Sequence, residues 1–165
     1  MQPDKQLFVK KLIEELLPEA AVFLANQGNP KQVRPFVTLQ FMDENSTAMN
    51  EILRTEEPGI LNVKGHMEQV LAVNYYGSAA MERLSYLKQS LDRPTIIDRC
   101  FAEGIAFFNA SQIRDLTILL DNRKYEKRAN LELFIRFVRK IEDNPGWIET
   151  VRVNDFEIEG GKNNG

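Results

Sequence analysis

Cysteine and histidine are almost absent from this chain, which has one of each, Cys100 and His66, in 165 residues. A single cysteine excludes an intramolecular disulfide and a zinc site built from several thiolates, and it fits a reducing compartment. An excess of one charge is also lacking, because 21 basic and 24 acidic side chains leave a net charge of −3. The chain therefore has no overall basic surface for wrapping nucleic acid or lying on an anionic membrane.

Long apolar runs are missing from the first 28 residues, where charged side chains and Pro18 interrupt each apolar stretch. This pattern predicts neither a signal peptide nor a membrane span, so we expect the protein to stay where it is made. Apolar residues nevertheless make up 43% of the chain, which is ordinary for a globular protein. We predict a single domain over residues 1–158 and a flexible C-terminal tail over 159–165.

The common catalytic signatures are missing too. The sequence has no phosphate-binding glycine loop, no dinucleotide-binding turn, no nucleophile elbow and no His-Glu-x-x-His helix. His66 has no recognisable activating neighbour, and Cys100 is expected to lie with Ile97 and Phe101 on the apolar face of a helix, as a small hydrophobe. We predict a protein that is not an enzyme and that has no catalytic residue, cofactor or metal. A hydrolase or small-ligand-binding domain built around His66 remains the alternative from another functional class.

Apolar residues at helical spacing predict three helices. The first covers residues 4–17 and ends at Pro18. The second is expected to be capped by Ser78, with Met81, Leu84, Leu87 and Leu91 on its buried face. The third is expected to begin at Pro94 and to end at Gly104, which can adopt a left-handed conformation.

Alternating or β-rich segments predict the strands, at 36–41, 63–76, 105–108, 113–120 and 125–141. The segment 20–24 could continue the first helix, but we favour a strand. Residues 43–59 are polar and are expected to form a long excursion with a short edge strand around Ile52 and Leu53, a candidate interaction loop.

A turn at 144–146 is expected to reverse the chain into residues 147–156. The predicted fold is therefore α+β. It has a mixed or antiparallel sheet with a long C-terminal β-hairpin, packed by an N-terminal helix and a central helix pair.

Phe134 and Val138 are unusual, because they fall with Arg136 on the polar face of the last long strand. The opposite face of that strand is already apolar, so either the domain covers both faces or a partner covers one of them. We favour a partner.

The densest basic run of the sequence lies just before that strand. It contains an aromatic residue and could contact phosphate. Acidic residues nearby favour a subunit contact or a solvated surface instead. Its candidate interface residues are Arg123, Lys124, Tyr125, Lys127 and Arg128.

Several segments together resemble the neck or tail terminator family of contractile-tailed bacteriophages. They are FVKKLIEELLP, ANQGNPKQVRPFVTLQF, VNYYGSAAMERLSYL and GIAFFNASQIRDLTILLDNRKYEKRANLELFIRFVRKIEDNPGWIETVRV. The likeness lies in the order and spacing of elements, with Tyr76-Gly77 before a helix, Gly104-Ile105 after the helix pair, and Arg128 opening the long strand.

This resemblance implies a structural virion protein of the neck and tail, with no enzymatic activity. It implies a homo-oligomer, a hexameric ring, that caps the head-proximal end of the tail tube and stops its growth. Implied partners are the tail tube protein, the tail sheath protein and a neck or head-completion connector protein. We expect DNA to pass through the lumen without specific binding, and no membrane to be involved. A head-closure or head–tail adaptor is the alternative within the virion.

Overall fold

The computed structural model describes residues 1–25, 33–54, 59–120, 124–145, 150–153 and 156–159. Its elements are α1 Pro3–Leu16, β1 Ala21–Leu24, β2 Phe36–Ser46, β3 Glu51–Arg54, β4 Leu61–Tyr76, α2 Ala80–Leu91, α3 Pro94–Ala102, β5 Ile105–Ala110, β6 Arg114–Asp115, β7 Ile118–Leu120, β8 Lys124–Glu126, β9 Arg128–Asp143, β10 Thr150–Val153 and β11 Phe156–Glu159. The fold is α+β with a mixed sheet, which confirms the predicted class.

The chain divides into two compact units, one formed by residues 1–49 and 66–139 and the other by residues 50–65 and 140–165. In the second unit, β3 pairs antiparallel with residues 61–64 of β4, and β10 pairs antiparallel with β11. The single domain predicted over 1–158 stays a prediction, and the expected tail lies, from residue 160 on, outside the described residues.

The first unit contains the main sheet, in which the strands follow the order β1, β2, β4, β9, β5. The pair β1 and β2 is parallel, whereas β2 pairs antiparallel with β4 and β5 antiparallel with β9. Beside β5, the two-residue strand β6 also pairs with β9. A separate hairpin is formed by β7 and β8.

The three described helices pack on one face of this sheet. Successive residues of a strand point to opposite faces, so the buried odd-numbered positions of β2, β4 and β9 identify that face. The core-facing side chains are Val9, Leu12, Ile13, Leu84, Leu87, Ile96, Val37, Leu39, Leu71, Val73, Leu131, Leu133 and Ile135. Each fully buried leucine or isoleucine contributes about 1.5–3 kcal/mol relative to an exposed one, so this layer stabilises the first unit.

Proline and glycine lie at the two ends of α3 as the sequence predicted. Pro94 occupies the first turn of α3, where the missing N–H costs nothing, and Pro3 occupies the first turn of α1, one residue before the predicted start. After α3, Gly104 takes φ +63°, a conformation that other residues adopt only under strain. The favoured strand over 20–24 is confirmed as β1, and the short edge strand is confirmed as β3.

Three expectations for α2 and α3 are wrong. The residue at the N-cap of α2 is Ala79, in a left-handed conformation and without a side-chain cap, so Ser78 does not cap this helix. On α3, Cys100 is buried as expected, but Ile97 and Phe101 are 51% and 82% exposed. The helix turns Ile96 and Cys100 toward the sheet instead, because they lie four residues apart. Met81 of α2 is likewise exposed.

Three strands differ from the predicted ones. The strand β2 continues to Ser46 through a register shift between Phe41 and Glu44, so the polar excursion begins later than expected. The predicted strand over 113–120 is divided into β6 and β7. The C-terminal hairpin expected between the strand over 125–141 and residues 147–156 is replaced, among the described residues, by a pairing of β10 with β11. Polarity alone does not end a strand that has a pairing partner, and this explains the missed extension of β2.

Candidate partner-binding surface

The face of the main sheet that points away from the helices is the candidate functional site, and we call it the open face. It collects the alternate positions of the five strands that do not point into the core. Its side chains are those of Phe23, Phe36, Thr38, Gln40, Glu68, Val70, Ala72, Asn74, Tyr76, Ala106, Phe108, Asn130, Glu132, Phe134, Arg136 and Val138. All but Ala72 remain half-buried or exposed.

Two side-chain contacts across the open face fix how β4 and β9 run. The Asn130 amide nitrogen donates to the Asn74 amide oxygen at 3.0 Å, and Arg136 Nε donates to Glu68 Oε1 at 2.5 Å. Arg136 lies six residues after Asn130 along β9, whereas its partner Glu68 lies six residues before Asn74 along β4. The two strands are therefore antiparallel. The backbone N–H of Gly77 donates to the carbonyl of Lys127 at 3.0 Å in the same register.

One end of the open face carries three aromatic rings. Phe36 and Tyr76, which are directly paired residues of β2 and β4, stack with ring centroids 4.5 Å apart and an angle of 14° between the planes. Phe23 meets Phe36 edge to face at 6.3 Å. Aromatic pairs of this kind contribute about 0.5–1.5 kcal/mol beyond the area that they bury. The three rings form a flat apolar surface on the open face, and part of this surface remains accessible to solvent.

The other end centres on Arg136, whose side chain is 59% exposed. Its guanidinium carbon lies 4.1 Å from the centroid of the Phe108 ring, and Phe108 in turn contacts Phe134 at 6.1 Å between centroids. The ring and the carboxylate of Glu68 together hold the guanidinium in one orientation. Arginine and aromatic residues are enriched at binding hot spots, and here an arginine is held in one orientation among aromatic rings.

The two sides of the sheet differ in charge. The helices carry eleven charged side chains, six on α1, three on α2 and two on α3. Over the part of the open face from Asn130 to Val138 of β9, the charged side chains are Glu68, Glu132 and Arg136, and two of these three pair with each other. Arg128, two residues before Asn130, adds a charge on the same side of β9. Because the centres of protein interfaces are depleted of charge and enriched in Phe, Tyr and Arg, the open face has the composition of an interface.

The helix side carries more charged side chains, and several of them form ion pairs. Arg99 of α3 donates two hydrogen bonds to the Glu15 carboxylate of α1, at 2.9 and 2.8 Å. These bonds hold the pKa of Glu15 below its ordinary value. Arg83 of α2 pairs with Glu19 at 3.2 Å. Such exposed pairs join neighbouring elements and leave a well-solvated surface.

The structure brings three of the sequence-predicted site residues together, Phe134, Arg136 and Val138, on the open face. In the sequence, Phe134 and Val138 stand out because they are apolar residues at polar positions of an alternating strand. This criterion does not identify Phe36, Tyr76 and Phe108, which lie on other strands. The partner strands become known only from the pairing order, so the cluster was not visible in the sequence.

The basic run lies around the β7–β8 hairpin and the start of β9. Tyr125 is 68% exposed, and Lys127 is exposed as well. Arg128 is half-buried, and its Nε donates to the carbonyl of Leu116 at 2.7 Å, so it also holds the chain before the hairpin. Lys124 begins β8, and Arg123 lies outside the described residues. The exposed Ile118 and Leu119 of β7 share this hairpin.

The remaining predicted interface residues, Ile52 and Leu53, lie on β3 in the second unit. They are 67% and 39% exposed. Exposed neighbouring apolar side chains on a short strand are compatible with a contact surface, and their role as interface residues stays a prediction.

His66 lines a cavity of about 480 Å³ together with Met67, Phe101, Ile105 and Val138. Its backbone carbonyl accepts hydrogen bonds from the N–H and the hydroxyl of Thr47, at 3.0 and 3.2 Å. The Cys100 side chain is 3% exposed, and burial raises the pKa of its thiol, so the unreactive protonated form prevails at neutral pH. Within the described part of the chain, no group of three or more His, Cys, Asp or Glu side chains could hold a metal ion.

Comparison with known proteins places these features in context. A family model described as phage neck terminator protein matches residues 7–164. No curated protein matches the chain. None of the helices in the described ranges has the length and apolar character that a membrane crossing requires.

Proposed function

Since the chain belongs to the phage neck terminator protein family, it is a structural protein of the phage neck, and we propose that it acts as a ring-forming tail terminator. In this proposal, copies of the chain form a hexameric ring on the head-proximal end of a contractile tail. The ring stops growth of the tail tube and joins the tail to the neck. The protein is made in the host cytoplasm and becomes part of the virion.

The observation that carries the proposal is the open face. The five strands lie about 4.8 Å apart and rise about 3.3 Å per residue, and with β1 and β5 only 4 and 6 residues long they give a surface of about 500 Å². A standard protein interface covers about 800 Å² on each partner. The open face therefore supplies more than half the area of one such interface. Its low charge and its aromatic side chains favour burial against protein rather than exposure to water.

A terminator needs geometry rather than an active site. When two different surfaces of the same protein bind each other, copies add head to tail, and they form a closed ring if the rotation between copies closes. A closed ring on the tube end occupies the positions where the next tube subunits would add.

The partners in this proposal are the tail tube protein, the tail sheath protein and a connector protein of the neck. DNA passes through the lumen of the ring without being bound. Six copies at −3 each carry a total charge of −18, which disfavours tight contact with phosphates. Tight DNA binding at physiological salt contradicts this part of the proposal.

The test is a tube-assembly assay. Purified protein is added to polymerising tail tube subunits, and tube lengths are measured by electron microscopy. We expect the wild-type protein to shorten the tubes and to be found at one end of each. Tubes of unchanged length contradict termination, and binding to portal protein without any effect on tubes identifies a head–tail adaptor instead.

A matched pair of arginine variants ties the result to the open face. Arg136→Ala removes the guanidinium from the Phe108 ring and leaves Glu68 unpaired, so we expect about 10-fold or more protein to be needed for the same shortening. Arg83→Ala removes an arginine of similar exposure from the helix side and should have little effect. Equal effects of the two changes contradict a specific role of the open face.

A further inference from the structure

The β7–β8 hairpin presents a largely exposed pair of apolar side chains. Leu119 of β7 and Tyr125 of β8 are directly paired, so their side chains share one face of the hairpin. They are 50% and 68% exposed. Neighbouring exposed apolar side chains are typical of a surface that contacts another protein.

Side-chain contacts hold this hairpin in place. On the face opposite to Tyr125, Glu126 forms an ion pair with Arg34. At the base of the hairpin, Arg128 Nε donates to the carbonyl of Leu116 at 2.7 Å. A two-stranded hairpin is only marginally stable alone, so these contacts help to fix the position of the exposed pair. A surface fixed before binding loses less entropy when it binds.

An open apolar cavity of about 480 Å³ lies further along β9. Its lining includes the apolar Met67, Phe101 and Val138 together with Arg136. Phe101 is 82% exposed, so the cavity is accessible from solvent. Binding pockets commonly have mostly apolar linings and volumes of about 300–1,000 Å³. This cavity therefore has room for an aromatic side chain of a partner and an aliphatic neighbour.

The hairpin of the same chain cannot fill this cavity. Arg128, at the base of the hairpin, and Arg136, in the cavity lining, are eight residues apart on β9 and hence about 26 Å apart. Tyr125 is three residues from Arg128, and three residues span at most about 11 Å. A second copy of the chain can supply the hairpin, because every copy carries one hairpin and one cavity.

The charge distribution favours contact between the hairpin and another part of a second copy. Residues 114–128 carry five basic and three acidic side chains, a net charge of +2. The whole chain carries −3, so the rest of the chain carries −5. Lys127 is exposed directly after β8, and Glu103 is exposed next to the cavity-lining Gly104. Opposite charges attract the hairpin to the cavity side of another copy, whereas like charges disfavour contact between two hairpins.

We propose that the β7–β8 hairpin of one copy inserts Leu119 and Tyr125 into the cavity of the next copy. This inference rests on the proposed ring. The Tyr125 ring then lies against Phe101 and beside Arg136, whose guanidinium attracts aromatic rings. Because the hairpin and the cavity are different surfaces, the contact repeats from copy to copy, and the ring closes when the rotation between copies permits. The contact also covers the end of the open face that carries Arg136.

Photo-cross-linking tests this contact. Tyr125 is replaced by the photoreactive amino acid p-benzoylphenylalanine, and isotope-labelled and unlabelled chains are mixed, so that mass spectrometry distinguishes links between copies from links within one. The mixture is irradiated on tail tubes and also free at high concentration. We expect links from position 125 of one copy to residues 101–106 or 136–138 of another.

Three results overturn the proposal. A link from position 125 to residues 116–126 of another copy means that hairpins pair with each other. A link only to the tube or sheath protein means that the hairpin has a different partner. The absence of any link between copies means that the hairpin does not join them.

Capping is measured separately in the tube-length assay. Protein that caps tubes without the expected cross-link overturns the hairpin contact and leaves the proposed function intact. Protein that gives the expected cross-link but does not shorten tubes supports the contact, and in that case the proposed function fails.

Serine variants provide an independent readout. Tyr125→Ser removes the ring from the hairpin and Phe101→Ser removes a ring from the cavity lining, so we expect each to raise the protein concentration needed for capping about 10-fold or more. The matched controls are Tyr86→Ser on α2 and Ile97→Ser, one turn before Phe101 on α3, and each should stay within about twofold of wild type. Circular dichroism and thermal melting establish that the variants fold. Folded Tyr125→Ser or Phe101→Ser protein that caps as well as its control overturns the proposal.

Discussion

The two faces of the main sheet are built from the same strands, and they are used in different ways. On one face, buried aliphatic side chains of β4 and β9 pack against three helices whose outer surfaces carry paired charges. On the open face, the alternate residues of the same strands include stacked aromatic rings, a hydrogen-bonded pair of amides and the oriented Arg136. The helix face explains how the chain folds. The open face has the composition of an interface, as a structural protein of the phage neck requires.

The largest expected difference between the two faces is in stability. Leu133→Ala removes a side chain that is 1% exposed in the core, so we expect the free energy of unfolding to fall by about 2–5 kcal/mol. The neighbouring change Phe134→Ala, on the open face, should cost about 1 kcal/mol. Chemical denaturation of both variants measures this difference. Equal losses of stability mean that the open face is as well packed as the core, and they contradict the comparison.

The second expected difference is in binding to the tail tube. Here a change on the open face should have a larger effect than a change on the helix side. Phe108→Ser removes a 40% exposed ring from the open face, and we expect at least about 10-fold weaker tube capping. Ile97→Ser removes a more exposed apolar side chain from α3 and should leave capping within about twofold of wild type. Protein titrations in the tube-length assay give both values. A greater loss with Ile97→Ser identifies the helix side as the interface.

The smallest effect concerns the charges of the helix side. Arg99 holds the pKa of Glu15 below its ordinary value through two hydrogen bonds. A lowered pKa in the folded state stabilises the protein above the unfolded pKa, and this contribution is lost as the pH falls through the folded value. Glu15→Gln should therefore lower the melting temperature slightly at pH 7, and the difference from wild type should shrink below about pH 4.

The salt dependence of the melting temperature gives a second test of the ion pair between Glu15 and Arg99. The Glu15 carboxylate is exposed to solvent, so the difference between wild type and Glu15→Gln should also decrease in high salt. Capping should be unchanged in this variant, because its position is on the helix side. A difference in melting temperature that persists at pH 3 excludes the ion pair as its cause.

Local patterns were sufficient to predict much of the fold. Helical spacing predicted α1, α2 and α3, and alternation along β9 correctly separated Leu131, Leu133 and Ile135 from the opposite face. These predictions succeed because burial repeats with the period of the element itself. Predictions that depended on one residue were less reliable. Ser78 does not cap α2, and Ile97 does not face the core, since the packing of a whole helix decides which stripe is buried.

The candidate site could be predicted only in part, for a related reason. Phe134 and Val138 are visible in one strand, because they break its alternation. Phe36 and Tyr76 come together only through the pairing of β2 with β4, and Phe108 reaches Phe134 only through the pairing of β5 with β9. Strand order is a long-range property, so no window of the sequence contains it. The basic run at 123–128 is easily recognised in the sequence, and its role as a subunit interface stays a prediction.

An electron cryomicroscopy map of the tail–neck junction would show which face of the sheet is covered in the virion. We predict several copies of this chain around the tail axis, with Phe108 and Arg136 covered by a neighbouring protein and the helix side left accessible around Arg83 and Glu19. A map that shows a solitary copy, with both of those open-face side chains in solvent, would contradict it.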